Sequence, residues 1–264
     1  MTQPKSPDWP RIAAAVWRRH RQGLRPIRRL DPIQWHQLTG IERQQQALAR
    51  NTERFLAGQP SNNALLWGAR GTGKSSLIKA LLNRYRDQGL RMVEVDKDDL
   101  VFLPEIVDDL CEQPFRFVIF CDDLSFETGE SGYKALKSVL EGSLELPPEN
   151  VRVYATSNRR HLMPEYMADN LNSQVHNGEL HPSEAIEEQV SLADRFGLQL
   201  SFYAFAQDVY LQAVDALFPA VADRDALHRE AIRFATSRGV RNGRTAQQFY
   251  RQFGGETADG NEPV

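Results

Sequence analysis

Residues 68–75 read Gly68-Ala69-Arg70-Gly71-Thr72-Gly73-Lys74-Ser75, a complete G-x-x-x-x-G-K-[ST] string. Glycines at these spacings let the backbone curl into a nest whose N–H groups point at phosphate oxygens. A helix that starts directly behind the nest turns the positive end of its dipole to the same anion. Lys74 reaches the β- and γ-phosphates, and Ser75 offers a hydroxyl to Mg²⁺. The surroundings agree. The apolar run Ala64-Leu65-Leu66-Trp67 leads in, and an amphipathic stretch from Lys74 to about Asp87 leads out. Strand, glycine-rich turn and helix follow in that order, so the whole cradle spans Gly68, Ala69, Arg70, Gly71, Thr72, Gly73, Lys74, Ser75 and Ser76.

A phosphate loop needs an acid to hold its metal. Phe117-Val118-Ile119-Phe120-Cys121-Asp122-Asp123 supplies one at the end of an apolar run. Alone, an Asp-Asp pair after a strand is as readily a solvated turn. Beside an intact phosphate loop, Asp122 reads as the metal ligand and Asp123 as the group that orients or deprotonates an attacking water.

Further out, Arg91–Val95, Phe115–Cys121, Val151–Thr156 and Leu198–Phe202 join Ala64–Trp67 as five strand candidates. FRFVIFC is apolar on both faces except for Arg116, the pattern of a parallel strand covered by helices on each side. Helical stretches fall at 41–56, 74–87, 98–112 and 132–141, with a further one at 185–195. From Ala204 to about Phe253 the period is helical, broken near Pro219 and at 239–243. Strands alternating with helices predict an α/β layer fold with a mostly parallel sheet of five strands. The helices after 204 predict a separate small unit. Residues 161–188 read as a long polar loop, and residues 254–264 as a disordered tail. His161, His176 and His181 lack metal-ligand spacing and read as solvated loop residues.

The chain has 264 residues and a net charge of −3. That balance is uneven. Residues 1–29 carry eight Lys and Arg against Asp8, a net +7, which leaves −10 for the remainder. Residues 8–22 read as an arginine-rich helix ended by Gly23 and Pro26, so residues 1–37 are expected to form a basic helical arm. Such an arm on an acidic body suits nucleic acid, an acidic protein surface or the body itself; a solvated helix face is the plain alternative. The apolar share of 41% supports a sizeable core. No apolar run approaches the roughly 20 residues that span a bilayer, and the start lacks a signal-peptide pattern. Two cysteines, Cys111 and Cys121, exclude a disulfide scaffold and a four-cysteine zinc site. One disulfide is open, and buried thiols in a reducing cytoplasm are the preferred reading.

With both motifs in place, the chain resembles AAA+ ATPases, specifically the single-module ATP-binding proteins of unassigned cellular role often filed as a domain of unknown function. The resemblance covers residues 25–253. Its carriers are LTGIERQQQALARNTERFLAG, GARGTGKSS, FVIFCDDLSFE, VYATSNRRHLMPE, HPSEAIEEQVSLADRFGLQLSF and GRTAQQFY. It implies an α/β nucleotide-binding domain over 38–203 and a helical lid over 204–253, with ATP and Mg²⁺ as cofactors. It implies that Leu38, Gly40 and Ile41 pack on the adenine and that Asn158, in TSN, senses the γ-phosphate. Arg195, in SLADRFG, matches an arginine finger supplied to a neighbouring subunit, which makes a homo-oligomer the expected state; an ion pair with Asp194 or a glutamate is the plain alternative. Arg244, in GRTAQQF, matches the lid arginine, with Arg241 a second candidate. Two departures stand out. Many AAA+ enzymes have Asp-Glu where this chain has Asp122-Asp123; Glu127, in LSFE, is a less favoured substitute base. There is also no second ATPase module and no substrate-recognition domain.

Three functions follow. The first is an oligomeric, cytoplasmic Mg²⁺-dependent ATPase that remodels or loads a macromolecular client, protein or nucleic acid. The second is a nucleotide-dependent switch with negligible turnover, to which the shorter Asp123 lends some weight. The third is a small-molecule P-loop kinase, against which SLADRFG and the long C-terminal helical stretch argue. The first is the expectation carried forward.

Overall fold

The computed structural model describes residues 7–125, 131–142, 146–158, 175–176, 179–180 and 192–254. Its frame is one seven-stranded sheet. In chain order the strands are β1 (Ala14–Arg18), β2 (Gly23–Pro26), β3 (Ala64–Gly68), β4 (Leu90–Glu94), β5 (Arg116–Cys121), β6 (Val151–Ser157) and, after the two-residue pair β7 (Val175–His176) and β8 (Glu179–Leu180), β9 (Leu198–Phe202). The order across the sheet is β2-β1-β4-β5-β6-β3-β9. Every neighbouring pair is parallel except β1 with β2.

The apolar runs explain the centre. Leu65, Ile119 and Val153 bury one face against a core that includes Leu103, Ile106 and Leu136. Leu66, Val118 and Tyr154 bury the other against Leu48, Leu77 and Leu81. The first side is covered by α3 (Leu103–Cys111) and α4 (Ser131–Glu141), the second by α1 (Glu42–Leu56) and α2 (Lys74–Tyr85). Residues 98–112, expected as one helix, are divided: a 3-10 segment, Lys97–Phe102, precedes α3. Asp96 caps that segment by accepting from the Asp98 N–H.

The N-terminal expectation is overturned. Residues 14–18 and 23–26 are strands of a hairpin, and the sheet has seven strands where five were expected. β1 lies parallel to β4, with Ala14 opposite Met92 and Ala15 opposite Val93. Short apolar runs do not distinguish strand from helix by period alone, and three consecutive alanines lean toward helix. The tertiary partner decides. Ala15 and Trp17 enter one core while Ala14 enters the other, which a strand achieves by alternation. Trp9 is 1% exposed and meets the Phe117 ring edge-on at 4.8 Å, and its carbonyl accepts from Arg91 Nε at 2.9 Å. Trp17 lies against Phe102. This segment is therefore part of the body.

The C-terminal helices α5 (Gln207–Leu217), α6 (Arg224–Arg238) and α7 (Gly243–Phe253) have a core of their own, with Tyr210, Val214, Ala231 and Phe249 at its centre. Cys121 is buried and Cys111 exposed, so the expected burial holds for one of the two. The polar loop expected at 161–188, the helix expected at 185–195, His161, His181, Glu127 and the tail 255–264 lie wholly or largely outside the described residues. His176 sits in the two-residue strand β7. Among the described residues, no helix is long and apolar enough to cross a membrane.

Candidate functional site

The parallel strands end together, and the loops leaving β3, β5 and β6 meet there. The phosphate loop follows β3, with positive φ at Gly68, Gly71 and Gly73. Gly73 is the N-cap of α2, so the helix starts at Lys74 with its N-terminus toward the loop. Thr72 braces the curl by donating its hydroxyl to the Ala69 carbonyl at 2.8 Å.

Lys74 is 6% exposed. Its Nζ donates to the carbonyls of Gly68 at 2.9 Å and Ala69 at 2.8 Å, and to Asn158 Oδ1 at 3.2 Å. Burial pushes its pKa below the ordinary lysine value. The carboxylates of Asp123 and Asp122 oppose that shift, and the guanidinium groups of Arg244 and Arg70 add to it. Four charged groups from three separate stretches of chain therefore act on one ammonium.

Asp122 and Asp123 leave the end of β5. Asp122 Oδ1 accepts from Ser75 Oγ at 2.6 Å and from Thr156 Oγ1 at 2.5 Å. Asp123 has φ +51, a conformation unusual for a residue with a side chain. Its N–H donates to Thr156 Oγ1 at 2.9 Å, and its carboxylate accepts from Asn158 Nδ2. Thr156 thus holds both acids. It was missed in the sequence, although strand alternation places positions 156 and 158 on one face.

Leu38 and Ile41 join the core beneath α2, and the Ile41 side chain lies next to Gly73. Gly40 approaches α5 so closely that a Cβ there would sit 2.3 Å from Val209 Cγ1. Ser76 is half-buried on α2. Arg244 is exposed at the start of α7, and its main-chain N–H donates to the Gly71 carbonyl at 3.2 Å. Arg241 is exposed as well, and its carbonyl accepts from Phe205 N–H. Arg195 is ion-paired with Glu141, at the end of α4.

The donor set fits Mg²⁺. Ser75 and Asp122 present adjacent hard oxygens, and this ion is ordinarily held by one or two carboxylates, waters and substrate phosphates. Among the described residues no group of three or more His, Cys, Asp or Glu forms a transition-metal cluster.

The profile of a family described as "Protein of unknown function (DUF815)" matches residues 10–257. No curated protein matches the sequence. Among solved structures, the Orc1 protein of Aeropyrum pernix, solved in complex with DNA, superposes with a TM-score of 0.59 at 17% identity, over 85% of this chain and 62% of that one. The chain thus spans less than two thirds of that Orc1 protein. A point mutant of RuvB from Thermotoga maritima superposes with a TM-score of 0.50 at 12% identity, over 85% of this chain and 74% of that one. At these identities the likeness is one of fold: an α/β fold with a mixed seven-stranded sheet.

Proposed function

We propose that this chain, which belongs to the DUF815 family, is a Mg²⁺-dependent ATPase of AAA+ type that couples the nucleotide cycle to a macromolecular client. One observation carries the reading. Lys74, Ser75, Asp122, Asp123, Thr156 and Asn158, from three separate stretches of chain, form one hydrogen-bonded constellation at the N-terminus of α2. A hydrogen-bonded lysine beside two carboxylates, at the end of a parallel sheet, suits a polyphosphate and its counter-ion.

The N–H groups of the loop would cradle the β-phosphate, and Lys74 would exchange its carbonyl and Asn158 contacts for β- and γ-phosphate oxygens. Ser75 and Asp122 would hold Mg²⁺, which when bound neutralises charge on those oxygens. Asp123 would orient a water in line with the γ-phosphorus and accept its proton as the oxygen–phosphorus bond forms. The β–γ bridging oxygen leaves with ADP. Asn158 bridges Lys74 and Asp123, so it is placed to report the γ-phosphate to the base. Leu38, Gly40 and Ile41, between the loop and α5, would receive the adenine. Arg244 would add its charge from above, the position of a lid arginine. Arg195 from a neighbouring copy would complete the site after parting from Glu141, which makes a homo-oligomer the working form.

The hairpin supplies a surface for the client. Arg19, Arg21, Arg25, Arg28 and Arg29 are exposed, and among the described residues none of them is ion-paired. Arg19 stacks over Phe102, which fixes the tip. If the client is nucleic acid, each phosphate neutralised there releases counterions, so binding should fall steeply with salt.

The test is phosphate release from Mg²⁺-ATP by the whole chain and by Asp123→Asn. Loss of the base should lower turnover by about 10²–10⁴-fold and leave ATP binding intact. Equal turnover in both proteins would overturn this assignment. A second reading, a switch that binds ATP with negligible turnover, is favoured by the Asp123 carboxylate being held by Asn158; it predicts binding and no release by either protein. A pull-down with Asp123→Asn in ATP would then identify the client.

A further inference from the structure

The C-terminal helices grip the phosphate loop by its carbonyls. Asn242 is 5% exposed and is the N-cap of α7. Its Oδ1 accepts from the Thr245 N–H at 2.9 Å and from Thr245 Oγ1 at 3.0 Å, which closes the helix start. Its Nδ2 points the other way and donates to the Arg70 carbonyl at 2.9 Å. One residue along the loop, the Gly71 carbonyl accepts from the Arg244 N–H at 3.2 Å. Gly71, at φ +76, makes room for this: a Cβ there would lie 2.6 Å from Asn242 Nδ2.

Peptide planarity gives these contacts a consequence. The Arg70 carbonyl and the Gly71 N–H belong to one rigid plane and point in opposite directions, as do the Gly71 carbonyl and the Thr72 N–H. When those N–H groups turn toward a phosphate, the two carbonyls must turn with them, and both are held by the start of α7. We propose that Asn242 is a positioning residue that ties the phosphate loop to the C-terminal helical unit, so that nucleotide occupancy sets the angle of α7 and with it the position of Arg244. The proposal rests on the reading that the loop binds nucleotide. The amide is the required group because it accepts on one side and donates on the other. Asp and Ser serve equally as N-caps, but neither has that reach and a donor together.

Asn242→Asp isolates the donor. It keeps the oxygen that caps α7 and loses the N–H to Arg70. The measurement is amide hydrogen exchange over residues 243–249, with and without Mg²⁺-ATP, beside calorimetric ATP affinity and steady-state kinetics. In the parent chain, ATP should change exchange across the first turns of α7. In Asn242→Asp, ATP should still bind within about threefold, the exchange response should vanish, and kcat should fall by about tenfold at little-changed KM, the ordinary scale of coupling between sites. Asn242→Ser, a second cap whose hydroxyl is too short to reach the Arg70 carbonyl, should behave alike. An undiminished exchange response in both variants would overturn the coupling. So would loss of α7 protection in both before nucleotide is added, since Asn242 would then be a cap alone. A parent that binds no ATP fails at the earlier step and removes the nucleotide reading along with the coupling, an outcome distinct from a parent that binds and a variant that transmits.

Discussion

At the residue scale, the two adjacent acids have different partners. Asp122 shares one oxygen between Ser75 and Thr156, whereas Asp123 faces Asn158. Asp122→Asn should weaken Mg²⁺-dependent ATP binding, measured by calorimetry with and without the metal. Asp123→Asn should spare binding. It should also spare stability, because Asn adopts the left-handed conformation found at φ +51 more readily than most residues. A thermal midpoint at or above that of the parent would show that lost turnover reflects chemistry and not folding. Lys74 adds a pH signature. Its pKa lies below the ordinary lysine value in the free protein, and a bound phosphate would favour the charged ammonium. ATP binding should therefore take up protons on the alkaline side. Titrations in buffers of different ionisation enthalpy should show that uptake growing as pH rises, and Lys74→Ala should abolish it. Cys121 needs no such attention: burial pushes its thiol up to about 12, so alkylating reagents should label Cys111 alone in the folded chain.

At the element scale, the hairpin is the feature that changes expectations most. Trp17 is 5% exposed and joins the core of the β5 face. Trp17→Ala should cost about 3–5 kcal/mol, read from urea unfolding. Removing residues 1–29 takes away Trp9, Trp17 and the strand that covers β4, and should yield an unstable protein. A truncated chain as stable as the parent would contradict the sheet order. The hairpin was illegible for a physical reason. Ala13-Ala14-Ala15-Val16-Trp17 reads as a short apolar patch among arginines, and only pairing with β4 decides its state. The other five strands were legible, β5 most plainly, because a run such as FVIFC is apolar on both faces and leaves few alternatives to a covered parallel strand. The phosphate loop was legible in full because its backbone needs leave a residue-by-residue trace. Thr156 and Asn242 left only a shared strand face and a helix cap, since the contacts that matter reach partners distant in sequence, Asp122 and Arg70. For Arg195 the plain alternative, an ion pair with an acid, is the contact found, with Glu141 as the partner.

At the scale of the whole molecule, the sheet, the phosphate loop and the C-terminal helices make one device only if nucleotide sits between them. Assembly is the first consequence. If Arg195 completes a neighbour's site, Arg195→Ala should bind ATP and hydrolyse it poorly. Mixing it with Lys74→Ala protein should restore activity, because one interface then pairs an intact loop with an intact finger, and such fingers are worth about 10³–10⁵ in rate. Sedimentation with ATP would show the assembly; a monomer with full turnover would exclude a finger in trans. All of this depends on a prior fact, which one measurement tests most directly: calorimetric titration of the whole chain and of Lys74→Ala with Mg²⁺-ATP. Saturable binding to one site per chain is expected, weakened at least about tenfold in the variant through loss of a charge-assisted contact worth about 1.5–3 kcal/mol. No heat of binding in the parent, or equal affinity in the two proteins, would contradict it.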